Sequence, residues 1–195
     1  MQNGCVSSHD APFPGSTKGR LLVATPPLAD PNFDRTVVYM LEHNDEGAVG
    51  VVLNRPSSDA LPEPIDRWDE HLTAPAVLFD GGPVEPDALI ALARLEHADD
   101  EVWTSVVGDL GSIDLAMDPA LVAGPVLQLR VFRGYSGWGP LQLDGELEEG
   151  AWMVLPSDHD DVFSPEPDGL WRAVIRRQGG RIAWVANAPD DLSSN

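Results

Sequence analysis

Thr36-Val37-Val38-Tyr39-Met40-Leu41-Glu42 is a β-branched and aromatic run, and Ala48-Val49-Gly50-Val51-Val52-Leu53-Asn54 resumes that composition after Asn44-Asp45-Glu46-Gly47. Two such runs across a short turn-forming stretch predict a β-hairpin. Just upstream, Arg20-Leu21-Leu22-Val23-Ala24-Thr25 predicts a strand stopped by Pro26-Pro27, because proline cannot continue a central ladder. Between these segments Asp30-Pro31 predicts a single helical turn, with Asp30 as cap and Pro31 at the first helical position.

Downstream, Pro56 to Pro64 reads as loop, and Ile65 to Leu72 carries apolar residues at helical spacing. Val77-Leu78-Phe79 reads as a buried strand closed by Gly81-Gly82-Pro83. Ala88 to Leu95 and Val102 to Val107 follow as strands, with the Ala- and Leu-rich composition of the first leaving its type open. Val126 to Phe132 is the strongest late strand, and it runs into Gly134-Tyr135-Ser136-Gly137-Trp138-Gly139-Pro140, where a sharp turn is expected. A helix then extends to about Glu149 and ends at Gly150, and Trp152-Met153-Val154-Leu155 returns as strand. Leu170 to Gln178 is the last clear helix, with Trp171, Val174 and Ile175 on one face.

Strands in runs with irregularly inserted helices fit neither a βαβ repeat nor a helix bundle. The expected class is α+β, with mixed, largely antiparallel β-sheets and a few short helices. Residues 1–18 lack apolar periodicity and read as a disordered N-terminal tail, and residues 19–195 read as a single compact domain.

The 195 residues include 43% hydrophobic and 23% charged residues, which is ordinary globular usage. Asp and Glu number 32 against 12 Lys and Arg, so the net charge of -20 opposes binding to nucleic acid and to anionic membranes. No apolar run reaches membrane-spanning length and no signal peptide is readable, so the chain reads as soluble and cytoplasmic. Its single cysteine, Cys5, excludes an internal disulfide.

Chemistry-bearing motifs are few. Gly134-Tyr135-Ser136-Gly137-Trp138 partly matches the strained turn that exposes a nucleophilic serine, but Trp138 stands where a small residue is required. His159 is the sole histidine late enough to serve Ser136, so a tight glycine turn anchored by aromatic rings is the better reading. Asp158-His159-Asp160-Asp161, and His43 with Asp45 and Glu46, offer metal-binding atoms without ligand spacing. No metal and no cofactor is expected. His71 and His97 stand alone. Gly81-Gly82-Pro83 loses one amide donor to proline, and Lys18 is the chain's one lysine, which argues against a phosphate loop. Arg172, Arg176, Arg177 and Arg181 form the one basic cluster, suited to a carboxylate or an acidic loop of the same chain.

Several separated motifs, taken together, carry a resemblance. They are Gly19-Arg20-Leu21-Leu22-Val23-Ala24-Thr25-Pro26, Asp30-Pro31-Asn32-Phe33-Asp34-Arg35-Thr36-Val37-Val38, Gly47 to Pro56, Gly81-Gly82-Pro83-Val84 and Gly134 to Trp138. In this order they resemble the AlgH/YqgE family of bacterial proteins, as do Gln142 to Leu147, Trp152 and Asn187-Ala188-Pro189-Asp190-Asp191. The resemblance runs from Gly19 to the carboxyl terminus and departs after Asp191, where the family often continues with proline. It implies a compact α/β arrangement with mixed sheets in a cytosolic bacterial protein, and no established activity. Family members are often labelled transcriptional regulators, yet no helix-turn-helix is readable here and the charge has the wrong sign for DNA.

Arg35, Asn54, Arg55, Tyr135, Ser136 and Trp138 form the candidate binding surface, as polar groups at strand ends beside aromatic rings. The competing reading pairs Arg35 and Arg55 with internal carboxylates and places Trp138 in the core. The preferred function is noncatalytic recognition of a protein partner or a small ligand. A hydrolase using Ser136, His159 or an acidic cluster is the alternative, and direct DNA regulation ranks below both.

Overall fold

The computed structural model describes residues 15–26, 28, 30–63, 65–95, 103–121 and 126–186. The expected tail up to residue 14, His97, the strand start at Val102 and the chain end after Asp190 lie outside them.

The hairpin forms as expected from β2 (Val37–Asn44) and β3 (Gly47–Val52), after β1 (Arg20–Ala24). β4 (Phe79–Asp80), β5 (Val84–Leu95), β6 (Trp103–Val107), β7 (Leu110–Ile113), β8 (Val126–Trp138) and β9 (Trp152–Pro156) complete one nine-stranded sheet. Its order is β6-β7-β5-β8-β3-β2-β1-β9, with β4 set parallel to β8 and the other pairings antiparallel. The α+β expectation holds, and the molecule is one domain.

Alternation along the strands divides the apolar residues into three clusters. Leu21, Val23, Val37, Tyr39 and Val51 from one half of the sheet, and Phe79, Leu92 and Phe132 from the other, share a core with helix α2 (Leu170–Arg177). The opposite face of β1 to β3 packs Leu22, Val38 and Met40 against Trp138, Trp152 and Leu143 of helix α1 (Gln142–Glu148). The opposite face of β5 and β8 packs Ala91, Leu129 and Val131 against Trp68 and Ile65 of a 3-10 helix at Ile65–His71. Burial on both faces is why β1 and β2 read as near-continuous apolar runs.

The Gly134 to Trp138 expectation is corrected: this segment is no turn but the second half of β8. Residues up to Tyr135 pair with β5, and Ser136, Gly137 and Trp138 pair with Gly50, Val49 and Ala48 of β3. One long strand therefore belongs to both halves of the sheet. The glycines allow close backbone approach rather than reversal. Gly134 has φ +65°, and a Cβ there would lie 2.5 Å from the Gly82 carbonyl oxygen. Gly134→Ala is accordingly expected to cost about 2 kcal/mol, from left-handed strain together with that overlap, and urea denaturation will read it.

Other differences are smaller. Residues 31–35 form turns rather than a helical turn, although Asp30 does cap them, its Oδ1 accepting from the Asn32 amide at 2.8 Å. Ser16, Thr17 and Lys18 pack along β2, with the Thr17 amide donating to His43 Nδ1 at 3.2 Å and Lys18 Nζ 2.7 Å from Glu42 Oε2. Sequence reasoning missed β7, four residues interrupted by Gly111, and helix α3 (Gly180–Val185), which opens beside two glycines of positive φ.

Candidate functional site

The turn at residues 30–36 gathers most of the candidate surface, chiefly through structural contacts. Asn54, buried at the end of the hairpin, accepts from the Val37 amide at Oδ1 (2.9 Å) and donates from Nδ2 to the Arg35 carbonyl (2.8 Å). It clips the entry of β2 to the exit of β3. Exposed Arg55 donates to the Asp34 carbonyl at 2.6 Å, and the Arg35 guanidinium lies 5.2 Å from the centre of the Trp171 ring. The Arg55 contact is therefore a backbone carbonyl rather than a carboxylate. Phe33 stacks on Trp138 at 6.3 Å and meets Trp152 edge-on at 5.3 Å. Trp138 belongs to the core, 6% exposed, and Glu146 Oε2 accepts from both indoles, Trp138 at 2.9 Å and Trp152 at 2.8 Å. Tyr135 stands apart, its hydroxyl donating to Glu85 at 3.3 Å.

Ser136 is fully buried and donates to the Gly81 carbonyl at 3.2 Å. His159 is engaged elsewhere. Its Nε2 lies 3.0 Å from Asp109 Oδ2 and its Nδ1 3.0 Å from Asp160 Oδ1. Ser136 thus has neither the exposure nor the base that an acyl-transfer nucleophile needs. Asp158 and Asp161 receive Arg177, whose guanidinium grips Asp161 with two hydrogen bonds at 2.6 and 2.5 Å. Of the basic cluster, Arg177 binds an acidic loop of its own chain. Among the described residues no three His, Cys, Asp or Glu side chains are arranged to hold a metal.

Two arginines that sequence reasoning passed over organise the same loop from beneath. Arg130 on β8 is 1% exposed and, among the described residues, pairs with no carboxylate. It donates to the carbonyls of Val162 (2.9 Å), Ala74 (3.0 Å) and Ser164 (3.0 Å), and its guanidinium lies 4.2 Å from the Phe79 ring centre. Burial pushes it down to about 10, so it stays charged at neutral pH. Arg94 on β5, also buried, donates to Gln128 and to the His159 carbonyl and pairs with Asp109 at 3.1 Å. Strand alternation carried the signal for Arg130: it shares a face with Phe132, opposite to Leu129 and Val131, and so points into a core.

Asp160 and Asp109 hold the exposed His159 above its ordinary value of 6.5, against the opposing charge of Arg94. Burial alone would raise Asp109, but His159 and Arg94 outweigh it and lower the carboxyl. A raised histidine contributes stability that is fully present below 6.5 and is lost as pH rises through its folded value. The melting-temperature gap between the native chain and His159→Gln is therefore expected to shrink as pH rises above 6.5. A gap that widens with pH would contradict this assignment.

Beyond Arg55, three loops enclose an open cleft of about 690 Å³, lined by Pro56, Ser57, Ser58, Pro75, Val77 and the segment 165–169. One Arg130 amino group, Nη2, holds two of these loops together through Ala74 and Ser164. The sequence signal for one wall was the proline-rich stretch Pro56 to Pro64, read only as loop, while the prolines at 75, 165 and 167 drew no reading.

The family model described as AlgH-like matches residues 21–183. A UPF0301 protein of Streptomyces avermitilis is 48% identical over 185 residues, covering 92% of this chain and 96% of that protein. One from Thermobifida fusca is 47% identical over 193 residues, with the same coverage. Among solved structures, a Corynebacterium diphtheriae protein aligns with TM-score 0.80 at 28% identity, covering 92% of this chain and 94% of that one. The solution structure of AlgH from Pseudomonas aeruginosa aligns with TM-score 0.67 at 29% identity, covering 98% and 100%.

Proposed function

This chain belongs to the AlgH-like family, and within it we propose a cytoplasmic, noncatalytic recognition protein that takes a protein partner or a small ligand in the cleft beyond Arg55. The cleft itself carries this reading. It is concave, walled by three loops and organised by a buried arginine, which are features of a preformed binding site. The engagement of Ser136 and His159 in separate structural contacts speaks against the hydrolase reading. A net charge of -20 speaks against direct DNA regulation. Among the described residues no helix is long and apolar enough to cross a membrane.

A thermal-shift screen against metabolites, nucleotides and short peptides tests the reading. A ligand at about 100 times its Kd stabilises by roughly 2.7 kcal/mol, and that shift is expected to vanish in Ser57→Trp, which fills the cleft. Hydrolysis of an activated ester that disappears in Ser136→Ala would instead make the protein an enzyme.

A further inference from the structure

We propose that the occupant of this cleft is a cationic, extended peptide segment of a partner protein, presenting an arginine or lysine beside an aromatic side chain. This rests on the recognition reading above and names the chemistry of the occupant.

The lining is rich in proline, carries two carboxylates and contains no cation. Pro56, Pro75, Pro165 and Pro167 contribute no amide donors and present flat hydrocarbon rings, and the Pro75 and Pro167 carbonyls already accept from the Val77 and Leu170 amides. The charged groups on the rim are Glu166 and Asp168, both exposed, and no Lys, Arg or His lines the cleft. Arg133 and Arg177, by contrast, are each held by aspartates of the chain itself. Among the described residues neither rim carboxylate accepts a hydrogen bond or joins an ion pair. A partner that completes this lining must donate hydrogen bonds and bring positive charge, and a guanidinium does both in a planar fork. Proline rings pack well on aromatic faces, which accounts for the second side chain. The cleft is open and too large for a single side chain, so it suits neighbouring side chains of an extended segment. Prolines and the Arg130 clamp hold the walls before the partner arrives, which lowers the ordering cost of binding.

The test is fluorescence anisotropy of labelled Gly-Arg-Trp-Arg-Gly and Gly-Glu-Trp-Glu-Gly with the full chain at about 150 mM salt, where diffuse attraction to an acidic protein is screened. Four proteins are compared: the native chain, Glu166→Gln/Asp168→Asn, the cleft-filling Ser58→Trp, and Glu148→Gln/Glu149→Gln as an equal loss of charge at the end of α1. Both rim carboxylates also lie just ahead of α2, whose positive end they favour, so each variant's melting temperature is recorded separately. The arginine peptide is expected to bind the native chain and the α1 variant alike. It should bind at least about tenfold more weakly to the rim and filled variants, and the glutamate peptide should not bind. Equal loss in the rim and α1 variants, or undiminished binding to Ser58→Trp, overturns the proposal. Absent peptide binding beside a small-molecule thermal shift that Ser57→Trp abolishes overturns it while sparing the recognition reading; absence of both overturns both.

Discussion

Arg130→Ala is expected to lower the unfolding free energy by about 3–5 kcal/mol, read as a drop in the urea midpoint at constant slope. The substitution removes a guanidinium that donates to three carbonyls from two separate loops and covers the face of Phe79. Water cannot easily replace it at a position 1% exposed, so the Val162 carbonyl in particular is left buried without a donor. Arg130→Met separates the contributions. It restores apolar volume over Phe79 but supplies no donor, so it should recover a minor part of the loss. A loss below about 1 kcal/mol in Arg130→Ala would mean that the loops hold themselves in place. The same substitution disconnects the Ala74 and Ser164 walls, so peptide binding should weaken along with stability.

Trp138→Ala comes second, with an expected loss of about 3–5 kcal/mol, the range for deleting a large buried aromatic side chain. The indole packs on Phe33 and Trp152, and its N–H shares Glu146 with Trp152. Its removal opens a cavity between α1 and the sheet and loosens the turn at 30–36. Arg55→Ala provides the contrast. That side chain is exposed and makes a single hydrogen bond to the Asp34 carbonyl, so the loss should stay below about 1 kcal/mol. Thermal melts of the two variants, with near-UV circular dichroism for aromatic packing, read the difference. Similar small losses in both would return Trp138 to the candidate binding surface.

The hairpin, the first strand, α1, β9 and α2 were legible because each carries its own period or punctuation. In α2, Trp171, Val174 and Ile175 fall on one face by spacing alone, and all three are buried there. The segment from Gly134 to Trp138 was misread for a physical reason. Glycine next to aromatic residues is locally the composition of a turn, but here the glycines leave room for the Gly81-Gly82 backbone, which arrives from far along the chain. The candidate surface was partly legible. Asn54, Arg35, Arg55 and Trp138 do meet around one turn, yet Asn54 and Trp138 are buried there, and the cleft opens one residue beyond Arg55.

Local chemistry determined most of the strands and helices, the α+β class, the acidic composition and the family resemblance, because composition, periodicity and turn residues act over a few neighbours. Tertiary structure alone decided that β8 joins both halves of the sheet, that Arg130 ties two distant loops together and that prolines from three loops wall one cleft. Those contacts link residues dozens of positions apart, where only the folded packing chooses which carbonyl a guanidinium meets.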